Sequence, residues 1–361
     1  MRSSRPDARA PVYVMSPGAS TPVGRDAWSS AAAVRAGISG FAQHPYMVDT
    51  AGHPMQVAIA SWLHIDLYGC ERFEALLLPA IEQALESEVA DRPDVRIALA
   101  LALPPDRPGL PDDLHAHLRG SIERRFGDRF AAIGMFDAGH AAGLMALSAA
   151  MRKMSDGDFE ACVVAGVESY IGPETLEWLE ETEQLHGAGA LNNAWGFVPG
   201  EGAGAVLLAV ESVVERAHGD PCAKVLSVGL GFEENRIRTP TVCVGEGLTA
   251  AFREGLGGLP AGAKITDVYC DMNGEPYRAD EYGFACLRTK DRFVSASDFV
   301  APADCWGDVS AASAPLGLAL SAVTSAKGYA GGPYALLWAS SDSGERGAAL
   351  LALRVSRDLF V

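Results

Sequence analysis

The sequence predicts an α/β fold whose sheets are covered by helices on both faces. Short runs of Val, Ile, Leu and Ala alternate with segments of helical periodicity almost from end to end. Those runs are continuously apolar, as strands buried on both faces are. Hydrophobic residues make up 48% of the 361 positions and charged residues 21%, enough to fill a large core, so disorder and a small stapled scaffold are both excluded.

The elements follow in order. Residues 12–16 read as a strand ending at a Pro-Gly turn, 71–90 as a helix and 95–103 as a buried strand. Residues 112–126 read as a helix, 131–136 as a strand, 140–154 as a helix, and 159–169 and 202–212 as strands. Further on, 223–232, 265–271, 334–341 and 347–355 read as strands, and 244–256 and 310–329 as helices. The acidic run 177–184 reads as a solvated helical face. Phrases near 163–210 and 336–355 echo one another, and no Pro/Gly/Ser linker separates them, so two fused halves are expected, 1–212 and 213–361.

Charge and cysteine usage bound the partners. The 46 acidic against 29 basic side chains give a net charge of −17. Such a surface repels phosphate backbones and anionic lipid, so neither nucleic acid nor a membrane is an expected partner. Cys70, Cys162, Cys222, Cys243, Cys270, Cys286 and Cys305 are odd in number and scattered, with no C-x-x-C pair, which points to a reducing compartment. Arg2, Arg5 and Arg9 are followed by no apolar stretch of signal-peptide length. The most apolar stretch, 131–151, is broken by Asp137 and His140 and reads as strand, turn and helix. A cytoplasmic protein is expected.

Residues 195–212, WGFVPGEGAGAVLLAVES, carry Gly196, Gly200, Gly202 and Gly204, which permit a tight turn and close backbone approach before a buried strand. This segment resembles the glycine-rich segment of β-ketoacyl synthases, the condensing enzymes of the thiolase superfamily. Residues 12–41, 135–151, 157–170, 267–282, 305–320 and 340–351 resemble further segments of that family in the right order. The resemblance implies a thiolase-like five-layered α-β-α-β-α fold, dimerisation through a strand of the first half, and acyl transfer chemistry.

Aligned on that family, His140 stands at the nucleophilic cysteine, Asp271 at the first catalytic histidine and Asp308, after Gly307, at the second. Ala303 falls at the family's lysine, and residues 342–346 at its Phe-Gly-Phe-Gly-Gly loop. Glu201, Asn273, Glu275, Cys305, Trp306 and Ser343 are expected around the substrate pocket, with Trp195 packed nearby. Condensation needs donors that hold the thioester oxygen as negative charge develops, and ionised aspartates repel that charge.

The expected function is therefore a ketosynthase-like protein of a fatty-acid- or polyketide-type pathway that does not itself condense. It would pair with an active ketosynthase, as chain-length-factor subunits do, in a homodimer or heterodimer. The resemblance also implies contact with an acyl carrier protein, although such carriers are acidic like this chain. The alternative is a divergent acyltransferase or thioester hydrolase using His140 as a base between Asp271 and Asp308, with Cys305 as a candidate relocated nucleophile. A sensor retaining an acyl ligand is a third class. One His and two Asp also resemble a facial metal-ligand set that Glu201 or Glu275 would complete. No ligand spacing supports it, and no metal or other cofactor is expected.

Overall fold

The structure, a computed structural model, describes residues 10–355. The arginine-bearing start of the chain, judged above not to be a signal peptide, lies outside them. The strands are β1 (Val12–Ser20), β2 (Phe41–Val48), β3 (Pro54–Ala58), β4 (Ile97–Ala102), β5 (Phe130–Phe136), β6 (Ala161–Ser169), β7 (Glu201–Ala209), β8 (Ala223–Phe232), β9 (Asp267–Cys270), β10 (Tyr334–Ser340) and β11 (Glu345–Leu353). The helices are α1 (Ala27–Arg35), α2 (Cys70–Leu85), α3 (Leu114–Phe126), α4 (Ala142–Ser155), α5 (Pro173–Glu181), α6 (Glu211–Ala217), α7 (Glu246–Gly255), α8 (Pro276–Thr289), α9 (Ala303–Trp306) and α10 (Ser313–Lys327).

Nine strands form one sheet in the order β5-β4-β6-β7-β1-β8-β11-β10-β9. Its two parts are joined by a short pairing of Val12–Val14 with Ala223–Val225, and the sheet folds back there around α4 and α10. Both helices pack against strands of each part, so α10 is apolar almost all round and ends on Gly328 in the left-handed conformation. Helices α2 and α3 cover one outer face, and α7 and α8 the other. This is the expected α-β-α-β-α layering. On α2, Phe73, Leu76, Leu77, Ala80, Ile81 and Ala84 recur at helical spacing and are buried against β1, β6 and β7. Each large side chain among them contributes about 1.5–3 kcal/mol.

The first strand does not end at its Pro-Gly pair. It continues to Ser20, because β8 reaches only Val14 and the missing N–H of Pro17 interrupts no ladder on that side. A Cβ on Gly18 would lie 2.0 Å from the Ala80 carbonyl oxygen, so the pair serves the close crossing of α2 instead of a turn. The hairpin β2–β3 was not foreseen. No helix among the described residues is long and apolar enough to cross a membrane.

Candidate functional site

The chain leaves β5, turns at Gly139 with φ +66°, and enters a single 3₁₀ turn, Gly139–Ala141, that opens α4. His140 stands in that turn, 5% exposed. Asp271 follows the last residue of β9. Asp308 follows α9 and Gly307, whose φ is +75°. The glycine-rich segment fixes Asp308 from the other side: its N–H donates to the Val198 carbonyl at 2.8 Å, and Gly200 N–H donates to its carbonyl at 2.9 Å. A Cβ on Gly200 would lie 2.1 Å from the Trp306 carbonyl oxygen, so only glycine allows this approach.

His140 Nε2 lies 2.9 Å from both carboxylate oxygens of Asp308. Asp308 Oδ1 also accepts the Ser310 N–H at 2.8 Å, and Oδ2 accepts Asn273 Nδ2 at 2.6 Å. Asp271 joins the group through a residue that the sequence reading missed. Arg278, 2% exposed on α8, donates Nη1 to Asp271 Oδ2 at 2.9 Å and to the Ser340 carbonyl at 2.6 Å. Its Nε donates to Glu275 Oε2 at 3.2 Å, and its Nη2 donates to Asp342 Oδ1 at 3.3 Å and lies 3.3 Å from His140 Nε2. Arg238, on the loop after β8, donates to Glu275 Oε1 at 3.2 Å and to Asp342.

Two guanidiniums and the His140 imidazole thus face the carboxyls of Asp271, Asp308, Glu275 and Asp342. Burial works against a charged His140, but the Asp308 carboxylate outweighs it and holds the imidazole pKa above its ordinary 6.5. Asp308 is the mirror case: burial would raise its pKa, yet His140 and Arg278 drive it below the usual carboxylate range. Both shifts favour the charged form of the His140–Asp308 pair. Burial leaves the Asp271 pKa raised despite Arg278, and its Oδ1 is buried without a hydrogen-bond partner. Asp271, Trp306 and Asp308 line a cavity of about 10 Å³, no larger than one water molecule.

Of the other predicted pocket residues, Asn273 and Glu275 belong to this cluster and Trp306 walls it. Glu201 does not: it accepts from Arg72 Nε at 2.6 Å and Nη2 at 2.7 Å, Ser169 Oγ at 2.9 Å and Ala60 N–H at 2.8 Å, in a separate buried network. Ser343 is exposed and donates to Glu345, while its neighbour Asp342 faces Arg278. Trp195, expected to pack, is 71% exposed, because the chain turns into the buried segment only at Gly196. The Cys305 thiol is buried, which raises its pKa, and Asp304 raises it further. A metal at His140, Asp271 and Asp308 conflicts with the Arg278 guanidinium placed among them and with the location of Glu201. One signal could have found Arg278. The buried positions Arg278, Glu281, Tyr282, Ala285 and Thr289 share one helical face.

A cleft of about 720 Å³ lies elsewhere, lined by Tyr46, Leu67, Tyr68, Arg72, Leu110 and Ile171 among others, and none of His140, Asp271 or Asp308 lines it.

Residues 131–213 match the family model of the β-ketoacyl synthase N-terminal domain. No curated protein matches the sequence significantly. Among solved structures, the chain is similar to a type II polyketide synthase acyl-carrier protein in complex with its ketosynthase bound to the hexaketide, at TM-score 0.78 and 14% identity, covering 96% of this chain and 99% of that one. It is similar to the ishigamide ketosynthase/chain length factor at TM-score 0.77 and 16% identity, covering 96% and 100%. The ketosynthase from module 6 of the bacillaene synthase from Bacillus subtilis 168 matches at TM-score 0.76 and 14% identity, covering 95% and 72%. The fold is therefore the thiolase-like fold of ketosynthases. The matched stretch takes in the glycine-rich segment 195–212, and the chain as a whole shares the fold of ketosynthases.

Proposed function

We propose that this protein is a ketosynthase-like subunit of a fatty-acid- or polyketide-type pathway that does not condense and supports an active ketosynthase. The observation that carries the reading is the His140–Asp308 pair at 2.9 Å, closed over by Arg278. On the family alignment, the nucleophile and oxyanion donors of a condensing site are replaced by charges that neutralise one another. Against the cost of burial, Asp308 raises the pKa of the His140 imidazole and so favours its protonated form, which takes neither a proton nor an acyl group. Four acceptors engage four of the five N–H groups of Arg278, and the fifth, on Nη2, lies on the side of His140, so the guanidinium is committed to the cluster. The adjoining space of about 10 Å³ holds no thioester.

No cysteine replaces the nucleophile, since burial raises the pKa of every one of the seven thiols, to about 12 at Cys70 and Cys162.

Pairing is supported by the open sheet edge at β5. Its residues 130–136, FAAIGMF, pair with β4 on one side and, among the described residues, with no strand on the other, leaving a half-exposed apolar strand that calls for a partner strand. Its occupant in this reading is the matching strand of a ketosynthase or of a second copy. The halves 1–212 and 213–361 are proposed as duplicated units, each supplying one part of the sheet.

The test is co-expression with ketosynthases encoded in the same organism, read by native mass spectrometry and by condensation activity. The reading expects a heterodimer whose activity survives His140→Ala. A homodimer with acyl-transfer or hydrolase activity of its own, lost in His140→Ala, would replace it with the repurposed-enzyme reading.

A further inference from the structure

Away from the His140 cluster, three side chains from separate segments meet. Glu233 follows β8, Cys243 stands in the loop before α7, and Glu281 lies on α8. One carboxylate oxygen, the thiol sulfur and a second carboxylate oxygen all lie within 4.8 Å of one another, and all three residues are buried. A separate observation points to a missing positive partner. Glu281 Oε2 is buried with no hydrogen-bond partner, although its residue is 0% exposed. Burial raises the Glu281 pKa, Arg346 and the nearby Ser340 hydroxyl act against that rise, and the Ser340 Oγ is itself buried without a hydrogen-bond partner.

The other contacts orient the trio without saturating it. Arg346 Nε donates to Glu281 Oε1 at 2.5 Å. The N–H groups of Asn235 and Gly247 donate to the two oxygens of Glu233 at 3.1 and 2.9 Å, and Gly245 N–H donates to Cys243 Sγ at 3.4 Å. Each carboxylate oxygen keeps a lone pair in reserve. Such outer contacts fix ligand orientation at metal centres.

We propose that Glu233, Cys243 and Glu281 form a binding site for a borderline-soft divalent cation, zinc foremost, with water as a fourth ligand. The thiolate argues against magnesium and calcium, which take oxygen ligands, whereas zinc accepts sulfur and carboxylate together. Two carboxylates and a thiolate beside Arg346 leave two net negative charges, which a divalent cation neutralises. The Cys243 proton leaves to solvent on binding. Burial otherwise holds that thiol in its neutral form. The cation would clasp both ends of the loop 233–245 to α8. That loop carries Arg238 to Glu275 and Asp342, and α8 carries Arg278, so the clasp would brace the candidate site. Sequence spacing could not show this, since the ligands stand ten and thirty-eight residues apart.

The test is titration of the chelator-treated full-length protein with zinc chloride and, separately, cobalt chloride. The proposal expects one zinc per chain. It also expects a thiolate-to-cobalt charge-transfer band that Cys243→Ser abolishes, with zinc affinity weakened by at least about tenfold. Absence of stoichiometric zinc, or cobalt bound without the band, overturns it. So does unchanged zinc binding in a folded Cys243→Ser protein. If that variant does not fold, the cobalt spectrum of the unmodified protein decides alone.

Discussion

Arg278 donates to Asp271 at 2.9 Å from seven residues along the chain, and this one contact ties Asp271 to the His140–Asp308 pair. A lone buried aspartate would be strongly disfavoured as an anion. With the guanidinium beside it, the strand end at Asp271 and the loop at Ser340 and Asp342 are held around one cation. The site is therefore organised by a residue that touches nearly all of its members.

Removing that cation should be costly. Arg278→Met leaves Asp271, Glu275 and Asp342 without their shared donor and is expected to destabilise the fold by about 3–5 kcal/mol. The double variant Arg278→Met/Asp271→Leu should recover part of the loss, because no lone carboxylate then remains at that contact. Urea unfolding of the two variants measures this, and equal losses would show that the contact is not the cause.

Stability should depend on His140 in a pH-dependent way. Its pKa in the folded state is raised, so its contribution is fully present below the ordinary 6.5 and is lost as pH rises through the folded value. The gap in melting temperature between wild type and His140→Gln should thus narrow from mildly acidic to alkaline buffer. Asp308, whose pKa is depressed, adds stability above the ordinary 3.8 that fades only in strong acid. A melting-temperature gap that widens with pH would contradict the charged pair.

Thiol reactivity offers a third check. Every cysteine has its pKa raised by burial, so the native protein should alkylate at least about tenfold more slowly than free cysteine at neutral pH. All seven should label after unfolding. One thiol reacting fast and stoichiometrically in the native state would reveal a nucleophile and end the non-condensing reading.

The β5 edge can be probed without touching the core. Ala131 and Ala132 are exposed in the single chain, so Ala131→Arg/Ala132→Arg should leave the fold intact while placing charge across the pairing edge. Analytical ultracentrifugation should then find monomer where the unmodified protein associates. Association that persists would move the interface elsewhere.

Much of the architecture is legible along the chain. Buried stretches such as 97–102 and 161–167 are apolar at every position, and the helix of 313–327 is apolar around almost its whole circumference. Burial on both sides leaves that mark whatever the partner is. The Pro-Gly pair misled because local propensity favours a turn, while the close crossing of α2 decides the strand. Trp195 misled for a related reason: a large apolar side chain is usually buried, but exposure is set by where the chain turns inward.

By itself, the sequence determined the layered α/β fold, the family resemblance and the presence of His140, Asp271 and Asp308 where family chemistry would need other residues. Only the tertiary structure decided that Arg278 joins them, that Glu201 serves Arg72 instead, and that Glu233, Cys243 and Glu281 meet. Hydrophobic burial is a property of short periodic segments and can be read locally. Charge pairing is set by contacts across tens to hundreds of residues, where any acidic or basic side chain is an equally good candidate until the fold brings two of them together.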